Sequence, residues 1–169
     1  MIATLEDKEF NFISAEDKQF INRFDDEMTN LGYDHGGKIG DGYCRGRYML
    51  IYRRSGVKND MVYARVYLRE NSIALRFFLN GIERHQNYIE NSPSHVKTAF
   101  TSEFGKCKHC HNEKEGRCRF RKTYSIDGKF IEKCNGYTFE FQDTNTEKLP
   151  DYISLFKEFF PLRKHETRL

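Results

Sequence analysis

Apolar residues change period several times along this chain, and each change marks an element. Ile21, Phe24, Met28 and Leu31 recur at helical spacing behind Ser14, whose hydroxyl stands three residues ahead of Asp17. A cap oxygen and a carboxylate at that spacing satisfy the first amides of a helix, so an N-capped helix is predicted. Gly32 is placed to end it in the left-handed backbone region. Six glycines within 32–46 read as a long, flexible loop.

The period then drops to two. Residues 48–53, 61–69 and 72–79 alternate aliphatic and aromatic positions with Tyr and Arg, which predicts an antiparallel meander with one apolar face and one Tyr/Arg face. Helical spacing returns at 82–89 and again after Ser92-Pro93, read as an N-cap and a first-turn proline, through Val96, Ala99 and Phe100, with Gly105 closing the helix. A second hairpin is expected from 120–126 and 129–133, turning at Asp127-Gly128. A short strand through Tyr137, Phe139 and Phe141 and a closing helix with a Tyr152, Leu155, Phe156, Phe159 stripe complete the order. The fold expected is α+β: one antiparallel sheet, made of the meander and the second hairpin, packed by helices and carrying a four-cysteine insertion. At 169 residues the chain is read as one domain, 1–169, with 106–135 as its cysteine-rich segment.

Composition adds limits. Fifteen Phe and ten Tyr supply large units of burial, although charged residues reach 31%. No apolar run approaches the roughly 20 residues of a membrane span, and the acidic start lacks the pattern of a secretory signal. The expected location is therefore cytoplasmic. Net charge is only +3, but it is unevenly spread: residues 1–30 hold three basic and eight acidic side chains, whereas 106–134 hold nine basic and four acidic. That basic stretch is either a solvated surface around a metal or an anion-binding patch.

The strongest chemical signal is Cys107, Cys110, Cys118 and Cys134, spaced C-x2-C-x7-C-x15-C. A two-residue gap lets two thiolates converge on one ion, and zinc takes four such ligands tetrahedrally. Cys118 falls on the wrong face of a regular hairpin to meet Cys134, so it must precede the strand or be turned by a bulge. Disulfides, a redox-active Cys107/Cys110 pair and unrelated free thiols are the competing readings. His109 and His111 are available to replace one cysteine. Nearby Lys and Arg would stabilise the thiolates, so the same basic charges can be serving the metal. Cys44, far away in sequence, reads as a free thiol.

Two further candidate sites remain. Arg65, Arg69 and Arg76 among Tyr63, Tyr67 and Phe78 combine guanidinium and aromatic groups on a sheet, a combination suited to phosphates or bases, or simply to an outer sheet face. His35, beside Asp34 and Asp41 in the glycine-rich loop, could act in acid–base chemistry with Cys44 as nucleophile. The bland reading, which we carry forward, is a surface histidine without convergent partners. No phosphate-loop, nucleophile-elbow or zinc-protease motif is present.

The run "CRFRKTYSIDGKFIEKCNGYTFEF", with the preceding "YIENSPSHVKTAFTSEFGKCKHC", resembles a set of small uncharacterised bacterial proteins, mostly from low-GC Gram-positive genera. That resemblance covers about the last half of the chain and implies no activity beyond the cysteines themselves. The reading taken forward is a zinc-stabilised binding or regulatory module for a small or anionic partner. An enzyme using the loop with His35 and Cys44, and a nucleic-acid-binding accessory protein, are the alternatives. Purified, reduced protein is expected to hold about one zinc per chain. Cys134→Ser should lower thermal stability far more than Cys44→Ser, because structural zinc binding is coupled to folding. Metal-free reduced protein by elemental analysis, or equal thermal shifts, would reject the assignment.

Overall fold

The computed structural model describes residues 2–102, 120–134 and 137–162. Ser14 does cap the first helix: its Oγ accepts from the Asp17 amide at 3.1 Å, and α1 runs Ala15–Asn30. Phe20, Ile21, Phe24 and Met28 form its buried stripe, and Gly32 follows with φ +85°. A four-stranded antiparallel path then carries the fold: β3 (Tyr48–Arg54), β4 (Ala64–Arg69), β5 (Ser72–Phe78) and β8 (Thr138–Phe141), in that spatial order. Two short strands, β1 (Tyr33–Asp34) and β2 (Gly40–Asp41), both pair with the outer edge of β3.

One sheet face is covered and the other is not covered by any described helix. Leu50, Tyr52, Ala64, Val66, Leu68, Leu75, Phe77, Phe139 and Phe141 point into the core. There they meet α1, α3 (Ser94–Thr101) and α4 (Leu149–Phe159). Ring packing joins the layers, with Phe24 against Tyr52 at 5.2 Å, Phe77 against Phe156 at 5.4 Å, Phe141 against Tyr152 at 5.0 Å and Phe100 against Phe139 at 4.4 Å. Full burial of each such ring contributes about 1.5–3 kcal/mol. No described helix is long and apolar enough to cross a membrane.

Three expectations need correction. The second hairpin, β6 (Lys122–Ile126) with β7 (Lys129–Lys133), is a separate two-stranded sheet. Its turn is as expected, with Asp127 and Gly128 both at positive φ. The free edge of β5, however, is taken by β8, with Leu75 opposite Phe141 and Phe77 opposite Phe139. The hairpin therefore docks on helices. Tyr124 Oη donates to the Phe100 carbonyl at 2.6 Å, the Asp127 amide donates to Glu90 at 2.9 Å, and Lys97 pairs with Asp127 at 3.0 Å.

Secondly, Ser92 does not cap α3. Pro93 occupies the cap, and the Ser92 hydroxyl instead donates to the Tyr88 carbonyl at 2.8 Å, closing α2 (Gln86–Glu90). Gly105 lies outside the described residues. Thirdly, the 32–46 segment is organised against the sheet, as β1, β2 and a single helical turn at Tyr43–Arg45. Its glycines serve close approach as well as turning. A Cβ on Gly42 would lie 2.3 Å from the Gly46 carbonyl oxygen and 2.8 Å from that of Tyr48. Neither is a side chain that can swing away. Gly42→Ala should therefore cost about 3 kcal/mol of stability. Gly56→Ala meets open space and bears only a positive φ, at about 1 kcal/mol. Urea unfolding of the two variants checks this, and equal losses would disprove the close-packing account.

Candidate functional site: the arginine face

Register decides what the uncovered face presents. Met49, Tyr67 and Ala74 lie side by side, and the next row is Ile51, Arg65, Arg76 and Glu140. Met49, Tyr67 and Ala74 form a small apolar cluster of their own, with Ile51 packed against it. Guanidinium groups lie over the rings: Arg76 sits 5.3 Å from the Tyr67 ring centre and Arg65 sits 5.2 Å from that of Phe78. Arg65 also donates to the Tyr67 hydroxyl at 3.3 Å. As a result Tyr67 is only 1% exposed.

Glu140 holds this layer together. Its side chain is 3% exposed and accepts from Arg76 at 2.5 Å and Arg69 at 3.1 Å, with Arg45 at 3.7 Å. Arg69 in turn donates to the Arg45 carbonyl at 2.6 Å, tying β4 to the Tyr43–Arg45 turn. Burial pushes the Glu140 carboxyl upward, but the hydrogen bonds and charges of Arg76 and Arg69 outweigh it and hold the group below its ordinary value. Two buried donors, Nε of Arg65 and Nε of Arg76, have no hydrogen-bond partner among the described residues. Behind β8, Lys133 lies over the Phe139 ring and donates to the Thr138 carbonyl. Burial, with the Arg76 charge, brings it down to about 8.

Of the residues predicted for this face, Arg65, Arg69, Arg76 and Tyr67 are brought together. Tyr63 is not. Its amide donates to the Tyr52 carbonyl at 3.0 Å, although Ala64 is already the register partner of Tyr52. Two residues thus oppose one, a β-bulge that interrupts the alternation. The Tyr63 ring joins the core between Tyr33 and Phe160, each at 4.9 Å. Arg45 and Glu140 escaped the sequence reading. Glu140 alternates with buried Phe139 and Phe141, so its outward position was legible, but its neighbour on β5 was not.

His35 also departs from expectation. The imidazole is a well-packed group, its side chain 10% exposed, with Nε2 3.5 Å from Asp25 Oδ1 and Nδ1 3.3 Å from the Lys38 carbonyl. Tyr52 donates to the same Asp25 oxygen at 3.1 Å. The Tyr52 hydroxyl is pushed well above its ordinary value, by burial first and then by the Asp25 charge. Asp34 pairs with Arg53 on the β1 ladder, so the next residue turns toward α1, where Asp25 waits. Cys44 is exposed and free, and the two nitrogens of His35 are aimed at protein acceptors elsewhere.

Cys134 is exposed just past the end of β7 and has no disulfide partner among the described residues. Cys107, Cys110 and Cys118, with His109 and His111, lie outside the described residues. Among the described residues no three metal-ligating side chains cluster. No family model, curated protein or solved structure matches the chain.

The Glu140 clasp has a pH signature. A carboxyl held below its ordinary value of 4.5 contributes stability that is fully present above 4.5 and is lost as pH falls through the lower folded value. Glu140→Gln leaves Arg76 buried without its counter-charge and should cost about 3 kcal/mol at neutral pH. In urea unfolding, the gap between wild type and variant should narrow as pH falls below 4.5. A gap that stays constant through that range would mean the carboxylate charge is not what holds the layer.

Proposed function

We propose that this chain is a zinc-stabilised binding or regulatory module whose arginine face receives a small or anionic partner. One observation carries the reading. Arg45, Arg69 and Arg76 gather around a single buried carboxylate with Arg65 beside Arg76 on the next strand, and two buried guanidinium N–H groups, those of Arg65 and Arg76, lack a partner in the described residues. A buried donor without an acceptor costs free energy, which an oxyanion would recover. Guanidinium forks are suited to such a guest because they bind carboxylate and phosphate oxygens in pairs.

The alternatives draw less support. Stacking of single-stranded bases needs exposed ring faces, and Tyr67 is covered by the arginines themselves. A histidine acting as base for Cys44 needs a nitrogen free to take a proton, whereas both nitrogens of His35 already face acceptors. For zinc, four cysteines fill the coordination shell and leave no open position for a substrate, so a structural role is the consistent one.

Isothermal titration with inorganic pyrophosphate tests the reading. Wild-type protein should bind, and added salt should weaken the complex. Arg45→Ala and Arg65→Ala, chosen because neither hydrogen-bonds Glu140 as Arg69 and Arg76 do, should each weaken it about tenfold. Absence of binding, or variants that bind as wild type does, would remove the arginine face as the site. A short single-stranded oligonucleotide that binds more tightly than pyrophosphate, with a steep salt slope, would favour the nucleic-acid alternative.

A further inference from the structure

Asp34 pairs with Arg53 and Gly40 pairs with Met49, so six steps along the loop face four steps along β3. The surplus bows the segment between them away from the strand, and Ile51 lies between the two pairings. Over it opens a cleft of about 460 Å³, lined by Met49 and Ile51 together with Lys38, Arg53, Arg54 and Asp34. That volume is within the usual range for small-molecule sites. Met49 and Ile51 also belong to the apolar patch of the uncovered face, and Ile51 is the direct neighbour of Arg65. The cleft is therefore continuous with the arginine row.

The charges at its mouth are unequal. Lys38, Arg53 and Arg54 are exposed and have no carboxylate partner among the described residues. Asp34 is already committed: it accepts from the Gly36 amide at 2.9 Å and from the Ser55 hydroxyl. Three cations against one carboxylate leave two positive charges unbalanced. His35 also lines the cleft, but its ring nitrogens face Asp25 and the Lys38 carbonyl.

We infer that this cleft binds the hydrophobic body of a small phosphate monoester, seated on Met49 and Ile51, while its dianionic phosphate bridges Arg53 and Lys38 at the mouth toward Arg65. The inference rests on the anion-binding reading of the arginine face and gives it a ligand class. An apolar floor alone would take any greasy ligand, and cations alone any anion. Their side-by-side placement selects a molecule with both parts, and an excess of two charges suits a dianion better than a carboxylate.

The test compares phenyl phosphate, inorganic phosphate and benzoate by titration calorimetry. Phenyl phosphate should bind about tenfold more tightly than inorganic phosphate, and benzoate should bind more weakly than phenyl phosphate. Ile51→Ala should erase most of the phenyl advantage while leaving inorganic phosphate unchanged. Arg53→Ala, at an exposed position that does not threaten folding, should weaken both phosphates. Suppose instead that pyrophosphate binds in an Arg65-dependent way but phenyl phosphate shows no advantage, or ignores Ile51→Ala and Arg53→Ala. The cleft assignment is then wrong and the broader reading stands. If none of the phosphates binds, both fall together.

Discussion

A carboxylate that is almost wholly buried makes the uncovered face of this sheet what it is. Arginine side chains on a sheet ordinarily reach into solvent and leave the strand surface open. Glu140 instead draws Arg69 and Arg76 across the strands, and Arg76 lies over the Tyr67 ring. The pairing of β5 with β8 sets the acid beside Arg76, so the clasp depends on a contact between residues 64 positions apart. Without the acid, two guanidinium groups would repel each other over an apolar patch. With it, the face is preorganised, and a guest would meet donors that are already held in place.

Much of the architecture was legible because local chemistry and tertiary packing agree. Ser14 and Asp17 announce the start of α1, and Asp127-Gly128 announces a turn that forms as expected. Alternation in 64–69 and 72–78 assigns every core residue of β4 and β5 to the correct face. Most of what failed depends on partners distant in sequence, Ser92 being the local exception. The second hairpin looked like part of the main sheet because nothing local says that β8 will occupy the edge of β5. Tyr63 looked outward because a bulge is a property of two strands, and only one of them was being read. Ser92 looked like a cap, but its hydroxyl is spent on the helix behind it.

The residues of the candidate site divide in the same way. Arg65, Tyr67 and Arg69 share one face of β4 and Arg76 the same face of β5, so period-two spacing found them. Arg45 arrives from a loop and Glu140 from a strand near the end of the chain, and no spacing rule links them to that face. His35 was assigned to solvent because glycines surround it. In the structure those glycines let the loop bow out while the imidazole folds beneath it, against Asp25 and Tyr52. A glycine-rich segment is thus a poor guide to the exposure of the bulky side chains it carries.

The bulge at Tyr63 has a consequence for how the length of this chain can vary. It stores one residue outside the ladder, immediately before β4 begins. Loss of one residue just upstream can be absorbed by straightening the bulge, and the faces of β4 keep their assignment. The same loss inside Ala64–Arg69 has no such slack. It would reverse every later side chain on the strand, driving arginines into the aromatic core and aliphatic residues into water. Insertions and deletions among descendants of this sequence should therefore collect on the 57–63 side of the bulge, where a change of length need not become a change of face.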